Sequence, residues 1–587
     1  MAPSDVNRPP GRRQDGSNYE FSFEWSAAMA RKDTSSDVKE IVDALKQVTA
    51  ALTTAGLDME QVVRSAAASA PPPAAAAAVA INTWDDPFSE ASPTPSPPLA
   101  APRQVNFVAN TNPRLRTNIV DPPLPARLYP VNTPGFRYWV AAEALARGID
   151  FWGGLMPFGT TWSTSNPMRV ILVEATPDLN ARYIRSSGLH FYKRDVANRT
   201  VYSGESPDVV RHELGHAVLD ALRPQFFNVA DAETSAFHES FGDMSAILCA
   251  LQDETMRRTV IAESQGHLNV NSRLSRLAEQ LGWAIRQISP AAVDRDSLRN
   301  AANRFFYRRI DTLPPSAPAN LLSSESHSFS RVFTGAFLDV LARMFSAAGP
   351  ADPATLLAVS RDLGQIIVDA VLAAPITTGY FSQVAAAMIQ ADQARFGGRN
   401  RSALTSSFIE RGILSINSAV TMANAPVPAP VALTPAVDDV WSDDTFAAAR
   451  HAGTQTIYSY DRAVVDDGFR MGYGATPDLP RKPVSIGGAL TIEVHAPMEQ
   501  RRFEVASAMT GSQQDSTLDA DTAIRLFVEG LIQRREVDLG SAWQVGTTGT
   551  KVSGGATHTL VTQDGKQVLK RNHFECGFCK PATFACA

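Results

Sequence analysis

SPDVVRHELGHAVLD, Ser206 to Asp220, is the stretch on which the reading of this chain turns. Ser206 fits an N-cap and Pro207 the first helical position: a serine hydroxyl accepts one of the unpaired N–H groups of a first turn, and proline has no N–H to leave orphaned there. The helix that follows carries Val209, Val210, Leu214, Val218 and Leu219. His212 and His216 are four residues apart, so their rings lie one above the other on one face and can aim two nitrogens at a single point. Glu213 follows the first of them, where a carboxylate reaches a water on a bound metal without itself becoming a ligand, the HExxH arrangement. With 10 His and 60 Asp plus Glu in 587 residues, such a match is expected by chance only about 0.02 times.

A catalytic zinc takes three protein ligands and keeps a fourth position open, so two histidines need a partner. Downstream, ETSAFHESFGDMSAIL (Glu233 to Leu248) places Phe237, Phe241, Met244 and Leu248 at helical spacing, with Glu239 and Asp243 four apart on one face. Glu239 can close the ligand set. Asp243, one turn on, can accept the second ring N–H of a ligand histidine and fix its tautomer. The bland alternative for such a pair is a solvated acidic face.

Around this centre, length and composition set the frame. At 587 residues the chain has room for three or four domains, and 44% apolar against 19% charged residues supports packed cores. A net charge of -6 gives no overall attraction for a polyanion, so nucleic acid is not an expected partner. No continuous apolar run reaches membrane-spanning length, and the first 25 residues lack the apolar core of a secretory signal. The chain thus reads as cytoplasmic or exported by a non-classical route. Its four cysteines, Cys249, Cys576, Cys579 and Cys586, are too few for a disulfide framework.

Along the chain, 1–36 reads as a disordered leader. Residues 37–65 read as a helical segment whose stripe of Val38, Ile41, Leu45, Val48 and Leu52 suits either docking on this protein or a partner. Nine prolines between Pro71 and Pro102 mark 66–105 as a linker. The next region, 106–420, divides into an α/β lobe (106–205) and a helical lobe (206–420). A second linker at 421–436 leads to a small α/β accessory domain at 437–587, with strands at Leu490–Val494 and Arg502–Val505, a helix over Ala520–Gln533 and a hairpin turning at Asp564-Gly565. At the end of that region His573, Cys576, Cys579 and Cys586 have the donor types of a structural metal site, but free thiols or one disulfide are the favoured reading.

DVVRHELGHAVLD together with Glu239-x-x-x-Asp243 resembles the gluzincin zinc metallopeptidases, most closely their thermolysin-like branch. The resemblance spans about 170–350. It implies an α+β fold with a thermolysin-like two-lobe catalytic domain, one catalytic Zn2+ held by His212, His216 and Glu239, Glu213 as general base and Asp243 supporting a ligand. HSFSRVFTGAFLDVLARMF (His327 to Phe345) is similar to the family's later helix and makes His327 the oxyanion-stabilising residue, with Glu325 the nearest stand-in for its orienting acid. LHFYK (from Leu189 through His190, Phe191 and Tyr192) resembles in place the edge strand on which the family lays extended peptides. His238 stands where the family has Asn, and no tyrosine occupies the position of its active-site Tyr. The expected activity is hydrolysis of a peptide or protein substrate by metal-activated water. A non-catalytic zinc-stabilised interaction protein and a narrow-specificity protease effector are the alternatives.

Overall fold

A computed structural model describes residues 79–85, 102–110, 112–415, 479, 481–486, 490–497, 518–538 and 556–576, all within one compact unit. The readings for 1–65, for 421–436, for Arg502–Val505 and for Cys579 and Cys586 lie outside these residues. Helices and strands are mixed, and no helix among the described residues is long and apolar enough to cross a membrane.

The first described element corrects the linker reading of 66–105. β1 (Val79–Thr83) pairs antiparallel with β2 (Arg103–Phe107). The prolines flank VAINTW without entering it, so that segment is free to pair. Ile81 and Trp84 are buried, and Trp84 meets Phe136 edge-on at 4.8 Å while donating its indole N–H to the Glu205 carbonyl at 2.6 Å. Phe136 belongs to α1 (Pro134–Leu155), which Thr133 caps by accepting from the Phe136 N–H.

Next come β3 (Thr117–Ile119), β4 (Met168–Ile171), β5 (Ala181–Ile184) and β6 (Gly188–Phe191), then the hairpin of β7 (Lys193–Val196) and β8 (Arg199–Tyr202). α2 (Pro207–Leu222), α3 (Ala232–Ala250) and α4 (Glu254–Ser264) follow, then β9 (Arg276–Leu277), α5 (Glu279–Arg286) and β10 (Arg299–Asn300). Four more helices complete the helical lobe: α6 (Ser326–Ala348), α7 (Pro353–Ala373), α8 (Tyr380–Phe396) and α9 (Arg401–Glu410). The C-terminal region holds β11 (Arg481–Ile486), β12 (Leu490–His495), α10 (Ala520–Gln533), β13 (Val537–Asp538), β14 (His558–Gln563), β15 (Lys566–Arg571) and β16 (Phe574–Glu575).

The main sheet runs β16-β5-β6-β4-β3. β6 is therefore interior, hydrogen-bonded to β5 on one side and β4 on the other, and the expectation of a free edge at Leu189, His190, Phe191 and Tyr192 is overturned. Leu189 and Phe191 are wholly buried core residues. β16 covers the outer side of β5 and forms one edge of the sheet.

The expected C-terminal α/β unit exists, but as part of the same compact body. Its sheet, β11-β12-β15-β14-β13, packs Val484, Ile492, Val494, Leu560 and Leu569 against Ile524, Phe527, Val528 and Leu531 of α10. Asp564 and Gly565 both take positive φ, 53° and 74°, as a two-residue hairpin turn matching strand twist requires. Ala230 and Ala232, which lead into α3, belong to this same apolar cluster, and the Ala230 N–H donates to the His495 carbonyl at 2.9 Å.

Two glycines set the distance between α2 and α3. A Cβ on Gly215 would lie 2.7 Å from Ser245 Cβ and 2.9 Å from the Gly242 Cα, so only hydrogen fits at this crossing. The helices are pinned again where Ser245 donates to the Arg211 carbonyl (2.8 Å) and accepts from the Trp152 indole (3.0 Å).

Candidate active site

Every residue of α2 and α3 is buried, so the polar side chains on their facing surfaces must find partners inside the protein or lose several kcal/mol each to desolvation. Ser206 caps α2, accepting from the Val209 N–H, and Asp231 caps α3, accepting from the Thr234 N–H at 2.8 Å. Both helices start as their sequences require, which fixes which residues face the crossing.

His212, Glu213 and His216 form a buried group able to hold a metal ion, with candidate ligand atoms all within 4.8 Å of one another. From α3, Glu239 Oε2 reaches to 3.5 Å from His212 Nε2 and 3.7 Å from His216 Nε2. All three atoms, and both carboxylate oxygens of Glu213, have no hydrogen-bond partner among the described residues. The ring nitrogens facing away are satisfied. His212 Nδ1 lies 3.0 Å from Asp243 Oδ1, and His216 Nδ1 lies 2.8 Å from His238 Nδ1. If each ligand ring donates from Nδ1, as Asp243 favours for His212, both Nε2 lone pairs point at Glu239.

His327 enters from the N-terminus of α6. Its Nδ1 donates to Glu325 at 2.7 Å, and Nε2 stands 3.2 Å from Glu239 Oε2. Glu325 also caps α6, accepting from the backbone N–H groups of His327 and Ser328. One carboxylate thus orients both the helix and the imidazole.

The electrostatics follow from this packing. Burial pushes the Glu213 carboxyl up to about 8 despite nearby His212. Burial acts against charge on His327 too, yet Glu239 and Glu325 on either side raise its pKa to about 10. Burial and the surrounding cationic groups drive His216 well down, which keeps it a neutral donor. Against burial, Arg299 and His212 hold Asp243 well below the usual carboxylate range.

His212, Glu213, His216, Glu239, Asp243 and His327, picked from sequence, therefore meet at one place. The sequence reading missed Arg299, whose Nη2 and Nε donate to Asp243 at 2.7 and 3.1 Å. It also missed that His238 buttresses His216. The end of the described chain is present as well: Phe574 stacks on His238 at 3.6 Å, and Cys576 is buried nearby. His573 Nε2 lies 3.3 Å from the Glu575 carboxylate, and the Cys576 backbone N–H pairs with β5 while its buried thiol is free; the other two candidate donors, Cys579 and Cys586, lie outside the described residues. No protein-family description and no curated protein matches this chain.

Proposed function

We propose that the chain is a zinc-dependent endopeptidase of the thermolysin-like, gluzincin kind, hydrolysing peptide bonds with Glu213 as general base. The observation that carries this reading is the convergence of three candidate ligand atoms, His212 Nε2, His216 Nε2 and Glu239 Oε2, the two nitrogens without a hydrogen-bond partner among the described residues, beside a buried carboxylate that also lacks one. Ligands about 2.0–2.1 Å from a tetrahedral zinc stand roughly 3.3 Å apart, close to the 3.5 and 3.7 Å found here. A nitrogen–nitrogen–oxygen set suits zinc, and a dication would also lower the cost of ionising the buried Glu213.

The residues that would hold the ion are His212, His216 and Glu239, and bound there it supplies Lewis acidity toward a water and a carbonyl oxygen. Glu213 takes the proton of the attacking water and returns it to the amine that leaves. His327, held cationic by Glu239 and Glu325, faces the developing oxyanion with an N–H. Asp243 keeps His212 in the tautomer that presents Nε2, and His238 holds the His216 ring in place through its Nδ1.

A purely architectural zinc site has no use for Glu213, which argues against the interaction-protein alternative. The test is Glu213→Gln in the full chain, assayed for zinc content and for cleavage of dye-labelled denatured casein. Zinc should stay stoichiometric while turnover drops about 10²–10⁴-fold. Unchanged turnover would remove Glu213 as the base, and loss of zinc would make it a ligand.

A further inference from the structure

Resting on the peptidase reading, we propose that the chain is its own substrate and that the site is set to hydrolyse the peptide bond between Glu575 and Cys576. β16 lies antiparallel on the outer side of β5, with Phe574 opposite Tyr183 and Glu575 opposite Arg182. Adding an extended peptide to a sheet edge is a general mode of peptide binding, in which backbone pairing orients the guest and side-chain pockets select it.

What separates this segment from an ordinary short strand is where its backbone groups go. The Cys576 N–H donates to the Ala181 carbonyl of β5 at 3.0 Å, as sheet pairing requires. Two successive carbonyls do something else. The Glu575 oxygen accepts from His327 Nε2 at 2.6 Å, and the Cys576 oxygen accepts from Arg299 Nη1 at 3.1 Å. One peptide unit, Glu575 C=O with Cys576 N–H, is thus held at both ends, its oxygen on the residue assigned to the oxyanion. Arg299 grips Asp243 with its other nitrogens, so the next carbonyl is tied through one guanidinium to the carboxylate that orients His212.

The side chains are selected as well. The Phe574 ring lies nearly parallel to His238 at 3.6 Å and to His216 at 5.0 Å, meets Phe227 edge-on at 5.5 Å, and carries the Arg571 guanidinium over it at 4.3 Å. Glu575 Oε2 accepts from Asn180 Nδ2 at 2.9 Å and Arg182 Nε at 3.2 Å. The substrate class is therefore an extended peptide with an aromatic residue followed by glutamate on the acyl side of the bond.

The step balances without a redox partner. Water adds to the Glu575 carbonyl carbon, the C–N bond to Cys576 breaks, and Glu213 carries the water proton to the departing nitrogen. The products are a new α-carboxylate on Glu575 and a new α-amine on Cys576. Departure of the fragment that begins at Cys576 frees the leaving-group side of the cleft for other peptides.

The experiment follows intact mass of the full chain loaded with zinc, alongside casein cleavage. The wild-type chain should lose everything from Cys576 onward, while Glu213→Gln keeps full mass. Casein cleavage with the Glu575–Cys576 bond intact would overturn self-cleavage and leave the peptidase standing; absence of both activities would reject the two together. Placement is read without metal or turnover, by iodoacetamide labelling of Cys576 in chelator-treated Glu213→Gln. Cys576 should label at least about tenfold more slowly there than with Phe574→Ala added, since a 1% exposed residue reacts only after the segment lifts. Equal labelling rates would show that the segment does not occupy the cleft.

Discussion

Asp243 Oδ1 stands 3.0 Å from Nδ1 of His212, and this contact decides which nitrogen of that ring faces the site. A carboxylate can only accept here, being ionised and already gripped by Arg299, so His212 keeps its proton on Nδ1 and Nε2 is the nitrogen left for a metal. Replacing Asp243 with Asn leaves the shape but lets the amide present N–H to the ring, and it strands the Arg299 charge. We expect Asp243→Asn to weaken zinc binding about 10–100-fold, read by competition with a chromogenic chelator. Stability should fall by about 3–5 kcal/mol, the usual consequence of breaking a buried pair, read by urea denaturation of the metal-free chain. Unaltered zinc affinity would mean that Asp243 serves Arg299 alone.

Gly242 gives a second handle on the same ring. A Cβ there would sit 2.5 Å from Cε1 and 2.6 Å from Nδ1 of His212, inside contact distance, so the imidazole must swing away from Glu239 or the helices must part. Ala is otherwise the better helix residue by about 1 kcal/mol. Gly242→Ala should therefore lose zinc affinity at least tenfold, read by the same competition. The control is Gly154→Ala near the end of α1, where a Cβ meets nothing within 4 Å and zinc binding should not change.

These two residues also show what the sequence could and could not reveal. Ser206, Pro207, His212, Glu213 and His216 sit within one helix, so local rules about capping and the 3.6-residue period were sufficient. Asp243 and Glu239 were legible for the same reason once a third ligand was sought. Arg299 was not, because it lies in a two-residue strand and meets Asp243 only through tertiary packing across 56 residues of chain. The β6 misreading has a related cause: LHFY announces a strand, but interior and edge positions differ only in which neighbours arrive, and that is fixed by β4 and β5. The HFEC segment was read for its sulfur and imidazole, whereas its backbone is what engages the site.

Glu205 carries a prediction about pH. It is fully buried, pairs with Arg137 at 2.7 Å, and has a second oxygen without a partner among the described residues. Burial outweighs the guanidinium, and the carboxyl rises from 4.5 to about 7. The folded chain then binds this proton more tightly than the unfolded chain does, so between about pH 4.5 and 7 the native state holds more protons and stability falls as pH rises. The full interval is worth at most about 3 kcal/mol. In Glu205→Gln that contribution disappears, and the difference in unfolding free energy between the two chains should shift in the variant's favour from pH 5 to pH 7.5. Urea denaturation at both values measures it; a constant difference would mean that Arg137 holds Glu205 ionised throughout.

His327 separates binding from turnover. Its Nε2 is 2.6 Å from a carbonyl oxygen already in the cleft, and its Nδ1 is fixed by Glu325, so little reorganisation is needed to meet a developing negative charge. It is not itself one of the three proposed ligands: it touches the set only at Glu239, 3.2 Å from Oε2, while His212, His216 and Glu239 reach one another directly. Glu325 is a poor place to test the idea because it also caps α6, and its loss would confuse a helix start with a catalytic defect. His327→Gln is cleaner, keeping size and a neutral N–H while removing the cation. We expect zinc content and thermal midpoint near wild type, with kcat on denatured casein down by about 10²–10³-fold, the usual cost of losing one oxyanion donor. If KM rose instead while kcat held, His327 would be orienting the peptide through its ground-state carbonyl, and charge stabilisation would fall to Arg299 and the metal site.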